Sequence, residues 1–162
     1  MSKTAFLFPG QGVQKCGMGK DFYENSQQAA RLFEEAGEAL GLDMKALCFE
    51  ENDLLDQTEY TQAALVTTYL AMCRELEQYG MHADITAGLS LGEYAAIAVA
   101  GGMSDLDAIR LVRKRGMLMQ NTVPAGEGAM CAILALDEKK IEEILSEIPD
   151  VTIANYNCPG QI

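Results

Sequence analysis

A serine flanked by glycines constrains this chain more than any other feature of its sequence. The segment from Gly88 to Gly92 has the sequence Gly-Leu-Ser-Leu-Gly, and it joins an apolar strand predicted at 85–87 to an apolar helix predicted at 94–99. The two glycines permit so tight a turn and leave room around the hydroxyl group of Ser90. A serine on such a strand-to-helix elbow is typical of enzymes that use serine for acyl transfer. Ser90 is therefore a candidate nucleophile.

The same serine has a simpler interpretation. Ser90 and Glu93 match the S-x-x-E capping box, in which the two side chains start an ordinary helix. Both hypotheses place the beginning of a helix at this point. The elbow by itself leaves open whether Ser90 reacts or only caps the helix.

Length and charge restrict the class of protein. The chain has 162 residues, of which 49% are hydrophobic, so it can bury one sizeable core. Its net charge of -12 argues against a nucleic-acid or anionic-membrane partner, because both require a positive protein surface. The sequence contains no apolar run of membrane-spanning length and no signal-peptide pattern at its start.

The cysteines indicate a reducing compartment. They lie far apart along the chain, at Cys16, Cys48, Cys73, Cys131 and Cys158. An odd number without C-x-x-C pairs or a histidine cluster predicts neither a disulfide framework nor a metal site. We therefore expect free thiols and a cytoplasmic location.

Short apolar strands alternate with longer amphipathic segments, which is typical of α/β proteins. Strands are predicted at 4–8 and 85–87, and helices at 26–40, 43–49, 61–79, 94–99 and 104–122. A segment rich in proline and glycine at 124–128 predicts a linker. This linker would separate a large subdomain, 1–123, from a small one, 129–162.

The small subdomain looks incomplete. Its pattern predicts a strand at 129–136, a helix at 137–148 and a second strand at 151–156. A turn signal at 158–160 is followed by only two residues, too few for the strand that the turn should begin. Such a sheet would have an open edge. We therefore expect the chain to be the front portion of a longer polypeptide.

Arg115 falls on the apolar face of the helix predicted at 104–122. At about 100° per residue, that face comprises Ala108, Leu111, Val112, Leu118 and Met119. A guanidinium keeps its proton and is costly to bury without a partner. The partner could be a carboxylate of the protein itself, or the side chain could extend to solvent. It could also be the carboxylate of a substrate, which the planar guanidinium binds with two hydrogen bonds.

Gln11 lies between two glycines directly after the first strand. There the backbone can approach a ligand closely and direct N–H groups into the cleft above the strand ends. Acyl transfer through serine needs two such donors for the oxyanion, and one normally comes from the residue after the nucleophile. This assigns one donor to Leu91 and makes Gln11 a candidate for the second.

Four separated motifs together resemble those of malonyl-CoA:acyl-carrier-protein transacylases. They are the Phe-Pro-Gly-Gln-Gly turn at 8–12, the elbow at 88–94, Arg115-Gly116 and the segment at 155–161. The motifs occur in the family's order, and the resemblance extends over the whole chain. It implies an α/β-hydrolase-like large subdomain and an inserted ferredoxin-like small subdomain, of which this chain would hold the first part.

The resemblance also implies a reaction. A malonyl group would pass from malonyl-CoA to Ser90 and then to the phosphopantetheine thiol of acyl-carrier protein, in fatty-acid or polyketide synthesis and without a cofactor. Gln11 and Leu91 would form the oxyanion hole. Arg115 would hold the malonyl carboxylate, and Met119 would line the pocket.

The chain departs from the family at two places. Leu89 stands where many relatives have histidine, next to the nucleophile, and the family's catalytic histidine has no counterpart here. The only histidine, His82, precedes Ser90 by eight positions, so an extended strand would separate them by roughly 20 Å. A general base must lie within about 3 Å of the proton that it removes. We therefore expect the 162-residue piece alone to be inactive.

Two other functions remain open. A patatin-like serine acylhydrolase would share the elbow, although it leaves Gln11 and Arg115 without a role. A non-catalytic module that binds acyl-carrier protein or coenzyme A would instead use a positive helix face. The candidates for such a face are Arg110, Arg113 and Lys114.

Overall fold

A computed structural model describes residues 3–124 and 126–162 of the chain, which divides into two units, 1–124 and 125–162. The elements of the first unit are, in chain order, β1 (Ala5–Phe8), α1 (Lys20–Asn25), α2 (Gln27–Leu40), α3 (Met44–Phe49), α4 (Thr58–Gln78), β2 (Ile85–Gly88), α5 (Gly92–Val99) and α6 (Asp105–Thr122). The second unit contains α7 (Glu138–Leu145).

Strands β1 and β2 pair in parallel, with Ala5 opposite Ile85 and Phe8 opposite Gly88. Parallel neighbours need a long crossover connection, and helices α1 to α4 provide it. Helices also flank the sheet, so the predicted α/β class with a parallel sheet is confirmed. The finer expectations, an α/β-hydrolase-like and a ferredoxin-like subdomain, stay predictions.

Side-chain caps explain why several helices begin where the sequence predicts. The Ser26 hydroxyl accepts a hydrogen bond from the Ala29 N–H at the start of α2. Asp43 caps α3 in the same way, and Ser104 caps α6. Each cap satisfies a backbone donor that has no partner within the helix. These helix starts agree with the sequence to within one residue.

Two helices of the first unit differ from the prediction by more than two residues, for a local reason. Helix α4 begins at Thr58 and not at Thr61, and its N-cap residue, Gln57, makes no side-chain cap. Helix α1 was not predicted, and none of its six residues is fully buried. A helix without a cap signal or a buried apolar stripe leaves little trace in the sequence.

Helix α4 lies at the centre of the first unit. Its fully buried segment runs from Thr61 to Thr68 and contains both apolar and polar side chains. Burial on nearly all sides explains why this helix has no sharp division into an apolar and a polar face. Among the helices that the structure describes, none is both long and apolar enough to cross a membrane.

Helix α6 packs antiparallel against α4. Near one end of the pair, the Arg74 guanidinium donates to both carboxylate oxygens of Asp105, at 2.7 and 2.6 Å. Toward the other end, Arg113 makes an ion pair with Glu59 at 3.0 Å. Beside it, a Cβ atom on Gly116 would lie only 2.8 Å from the Glu59 Cα atom. The absence of a side chain at Gly116 therefore lets the two helix backbones meet.

The second unit contains the predicted helix but not the predicted strands. Helix α7 begins after its cap, Asp137, and ends at Leu145, three residues before the predicted end at 148. Residues 129–136 and 151–156 are not regular strands, which corrects both strand predictions. A strand needs a partner, and 133–135 hydrogen-bond to 160–162 and not to 151–156. The turn at 158–160 reverses the chain, so that Gln161 pairs with Cys158 as well as with Leu134.

The cysteines of the described residues are free, and they fall into two classes. Cys48 and Cys73 are buried in the core, and burial raises the pKa of their thiols to about 12 and about 11. Cys16, Cys131 and Cys158 are exposed. Because the thiolate is the reactive form, the two classes should differ in reactivity.

Alanine at Gly116 is expected to destabilise the protein, although alanine normally stabilises a helix interior by about 1 kcal/mol relative to glycine. The added methyl group would press on the backbone of α4 and should cost a net 1–3 kcal/mol or so, as overpacking does. Urea denaturation would measure the change. The exposed neighbour Lys114 provides a control, because Lys114→Ala should change stability by less than about 0.5 kcal/mol. A more stable Gly116→Ala variant would contradict the packing.

Alkylation is expected to separate the two classes of cysteine. Iodoacetamide at about pH 8, near the ordinary pKa of a free thiol, should modify Cys16, Cys131 and Cys158 in the folded protein. Cys48 and Cys73 should react only in denaturant, since their thiols are buried and protonated. Peptide mass spectrometry would assign each modified site. Rapid labelling of Cys48 under native conditions would show that this part of the core opens readily.

Candidate active site

Ser90 occupies the tip of a strained turn between β2 and α5. Its φ angle of 49° lies in the left-handed region, which is unusual for a residue other than glycine and tends to occur at functional sites. The residue is exposed, whereas the following residue, Leu91, is fully buried. The turn therefore presents the Ser90 side chain outward while Leu91 anchors it in the core.

The two glycines of the elbow are required by the backbone that surrounds them. A Cβ atom on Gly88 would lie 2.1 Å from the carbonyl carbon of Gly92, and one on Gly92 would lie 2.1 Å from the carbonyl oxygen of Phe8. The Leu89 N–H donates to that same Phe8 oxygen at 3.0 Å. Ser90 is thus held directly above the carboxyl end of β1.

The capping-box interpretation of Ser90 is wrong. Helix α5 begins at Gly92 with Leu91 as its N-cap residue, and no side chain caps it. The Glu93 N–H donates to the backbone oxygen of Ser90, at 3.2 Å. The Ser90 Oγ atom instead accepts a hydrogen bond from Nη2 of Arg115, at 3.1 Å.

Arg115 projects from α6 toward the elbow. Its Nη1 donates to Oε1 of Gln62 at 2.8 Å, and its guanidinium carbon lies 5.7 Å from the centre of the Tyr94 ring. The side chain is half-buried. The apolar face predicted around it is only partly buried, since Ala108 and Val112 lie in the core, whereas Leu111, Leu118 and Met119 are exposed.

The partners of Arg115 are neutral, unlike those of two comparable arginines. Arg74 pairs with Asp105 and Glu77, and Arg113 pairs with Glu59. Within residues 3–124 and 126–162, Arg115 makes no ion pair with a carboxylate. The prediction that a carboxylate of the protein could neutralise it is therefore not met by any residue described. Its positive charge remains available beside the Ser90 hydroxyl.

Gln11 lies near the same site on the turn after β1. Its side-chain Nε2 donates to the Thr58 hydroxyl at 3.1 Å, and its Oε1 accepts from Nε2 of Gln62 at 3.4 Å. In the part of the chain that the structure describes, the backbone N–H groups of Gln11 and Leu91 have no acceptor. An oxyanion-hole donor must likewise have no acceptor within the protein.

Gln62 is the residue of this site that the sequence analysis missed. Its side chain is fully buried on α4, and its amide nitrogen lies 3.3 Å from Sδ of Met119 as well as near Gln11. The only signal in the sequence is a glutamine next to the apolar run 63–66, inside a helix that is buried on nearly all sides. A buried polar side chain requires hydrogen-bond partners, but the sequence alone does not identify them.

The described residues supply no histidine to Ser90. Arg115 provides the only side-chain hydrogen bond to Ser90 Oγ among them. His82 is exposed and precedes β2, whereas Ser90 follows β2, so the strand separates the two residues. No group of histidine, cysteine and carboxylate side chains in the described part of the chain could hold a metal ion.

Comparison with protein families identifies an acyl transferase domain, which matches residues 5–162. A malonyl CoA-acyl carrier protein transacylase of Bacillus subtilis (strain 168) is 48% identical over 167 aligned positions, which cover 100% of this chain and 53% of that protein. A homologue of the same name from Staphylococcus aureus (strain MRSA252) is 43% identical and likewise spans this whole chain, with 54% of the relative covered. The chain thus spans about half the length of the curated relatives that it matches.

Solved structures give the same result. A malonyl CoA-acyl carrier protein transacylase from Clostridium perfringens superposes with a TM-score of 0.88 at 43% identity, over 99% of this chain and 52% of that one. A malonyl-transacylase solved in complex with a type II PKS acyl-carrier protein superposes with a TM-score of 0.89 at 39% identity, over 99% of this chain and 53% of that one.

Proposed function

We propose that this chain, which belongs to the acyl transferase domain family, carries the nucleophile and the substrate-carboxylate site of a malonyl transferase. The donor would be malonyl-CoA, and the acceptor would be the phosphopantetheine thiol of acyl-carrier protein. One observation carries the proposal: an arginine without a carboxylate partner among the described residues lies 3.1 Å from the exposed hydroxyl of an elbow serine. Such an arrangement suits an acyl group that itself bears a carboxylate.

The reaction would proceed in two balanced halves. The Ser90 oxygen attacks the thioester carbonyl while a base takes its proton, and the C–S bond then breaks to release coenzyme A as a thiol. The carrier-protein thiol next gives its proton to the base and attacks the Ser90 ester. The bond between the acyl carbon and the serine oxygen then breaks, and the base returns the proton to that oxygen. The acyl group keeps its oxidation state, so no redox cofactor is needed.

The backbone would stabilise the charge that develops on the carbonyl oxygen. The N–H groups of Leu91 and Gln11 would be the two donors, and neither has an acceptor among the described residues, which supports this role. Removal of one such donor typically costs about a hundredfold or more in rate. Met119, which is partly exposed beside Gln62, would line the space for the acyl chain.

The general base is not among the described residues near Ser90. His82 is separated from it by the whole of β2, and Arg115 remains protonated. We therefore propose that the base comes from a histidine outside these 162 residues, and that the 162 residues alone transfer little or no malonate.

Family membership favours transfer over hydrolysis by a patatin-like mechanism, and Arg115 then has a role. A binding module that only recognises acyl-carrier protein or coenzyme A would need no free serine. Its expected positive face is reduced, because Arg113 is paired with Glu59. The names of the relatives fit fatty-acid or polyketide synthesis, and the free thiols fit the cytoplasm.

Ser90 is expected to become esterified when the full-length polypeptide meets malonyl-CoA. Intact-protein mass spectrometry should detect one malonyl adduct, and Ser90→Ala should abolish it because the attacking oxygen is gone. His82→Ala provides the control and should leave both the adduct and the turnover unchanged. An adduct that persists in Ser90→Ala would place the acyl group on another residue, and a loss of transfer in a folded His82→Ala variant would identify His82 as the base.

Arg115 is expected to select for the carboxylate of the acyl group. Arg115→Ala should lower kcat/KM for malonyl-CoA by about thirtyfold or more, since removal of one partner from a desolvated charge pair costs about 2 kcal/mol or more. Acetyl-CoA lacks the carboxylate, so its kcat/KM should fall much less or even rise. Arg110→Ala, on the exposed side of the same helix, is the matched control. Equal losses for both thioesters would mean that Arg115 serves the fold and not the substrate.

A further inference from the structure

We propose that Gln62 is a positioning residue that gives the site its preference for an anionic acyl group, because it holds Arg115 with a neutral acceptor. The inference rests on the proposed function, since it concerns the same acyl site. Gln62 does not contact the reacting atoms. It would act through Arg115 and, secondarily, through Gln11.

The orientation of the Gln62 amide is determined by its neighbours. Oε1 lies 2.8 Å from Nη1 of Arg115, which can only donate, and Nε2 lies 3.4 Å from Oε1 of Gln11, which can only accept. The opposite orientation would place two donors against each other on one side and two acceptors on the other. Since the side chain is also fully buried, it fixes one nitrogen of the guanidinium in a single place.

Other arginines of this chain indicate why a neutral partner matters. Arg74 and Arg113 are also partly buried and bridge α4 and α6, but each is neutralised by a carboxylate, Asp105 and Glu59 respectively. Arg115 bridges the same two helices through the amide of Gln62. The amide therefore holds the Arg115 side chain between the helices, as the carboxylates hold Arg74 and Arg113. Because the amide is neutral, the charge of Arg115 is left to bind a second group.

A carboxylate at position 62 would remove that advantage. Glutamate has nearly the shape of glutamine, and at about 3 Å from the guanidinium it would stay ionised. The guanidinium would then be paired internally, like Arg74 and Arg113. A malonyl carboxylate would then bind less tightly, because the guanidinium would already be neutralised and the introduced carboxylate would repel it. An acetyl group carries no charge, so neither effect would change its binding.

The same amide also connects the two halves of the site. A continuous series of hydrogen bonds crosses the site. Arg115 donates to Ser90 and to Gln62, Gln62 donates to Gln11, and Gln11 donates to Thr58. Loss of the Gln62 N–H would loosen the Gln11 turn for every thioester. Loss of neutrality would affect only acyl groups that bear a charge. The ratio of malonyl to acetyl kcat/KM therefore isolates the effect through Arg115.

The test compares variants of the full-length polypeptide in transfer from malonyl-CoA and from acetyl-CoA to a carrier protein. Gln62→Glu should lower the malonyl-to-acetyl ratio of kcat/KM by about tenfold or more, mainly through KM for malonyl-CoA. The looser Gln11 turn should lower kcat/KM further, by the same factor for both thioesters. Gln78→Glu, the same change at the exposed far end of α4, should leave both substrates unchanged. Thermal melting would confirm that the variants fold.

If the Gln62→Glu variant does not fold, Gln62→Met provides the test. Methionine lacks the strong hydrogen-bond acceptor of glutamine and adds no charge. It should raise KM for malonyl-CoA severalfold more than KM for acetyl-CoA, because only the effect of the looser Gln11 turn is common to both thioesters. If a folded Gln62 variant keeps the wild-type preference for malonyl-CoA, or loses kcat/KM equally for both thioesters, the role of Gln62 is wrong, although the proposed function can still be right. A wild-type protein that does not prefer malonyl-CoA would overturn the proposed function together with this inference.

Discussion

The close packing of α6 on α4 at Gly116 is the contact on which the rest of the site depends. Without a side chain at this position, the backbone of α6 can approach Glu59, and the neighbouring Arg115 then reaches the buried amide of Gln62. The ion pair between Arg74 and Asp105 fixes the far end of the helix pair. If the helices lay farther apart, the guanidinium would be withdrawn from Ser90. The positive charge beside Ser90 therefore depends on the close packing at Gly116.

On the other side of the site, the elbow also depends on the absence of side chains, here at two glycines. Gly88 and Gly92 let the turn rest on the end of β1, which places Ser90 beside the Gln11 turn. The backbone of the elbow fixes the position of the Ser90 hydroxyl, and the half-buried side chain of Arg115 supplies the positive charge. Of the arginines that join α4 and α6, only Arg115 has neutral partners among the residues described. That difference separates a site for an anion from an ordinary structural ion pair.

Features encoded by neighbouring residues were predictable. Helices α2, α3 and α6 begin at side-chain caps, and a cap involves only residues two or three positions apart. The strands expected at 129–136 and 151–156 failed because a strand is defined by its partner, and 133–135 pair with 160–162. The capping box at Ser90 failed because the elbow holds the Ser90 backbone in the left-handed region and α5 begins one residue later, with Leu91 as its N-cap residue.

The sequence by itself determined the tight turn at Ser90 and the permanent charge at Arg115, because both follow from the covalent structure of a few adjacent residues. Only the tertiary structure decided which group meets that charge. Gln62 lies 53 positions from Arg115 along the chain, and the burial of α4 on nearly all sides leaves no periodic pattern that would mark one polar residue as a partner. Hydrogen bonds act over about 3 Å, so the folded packing of two helices, and no local motif, selects the neutral partner.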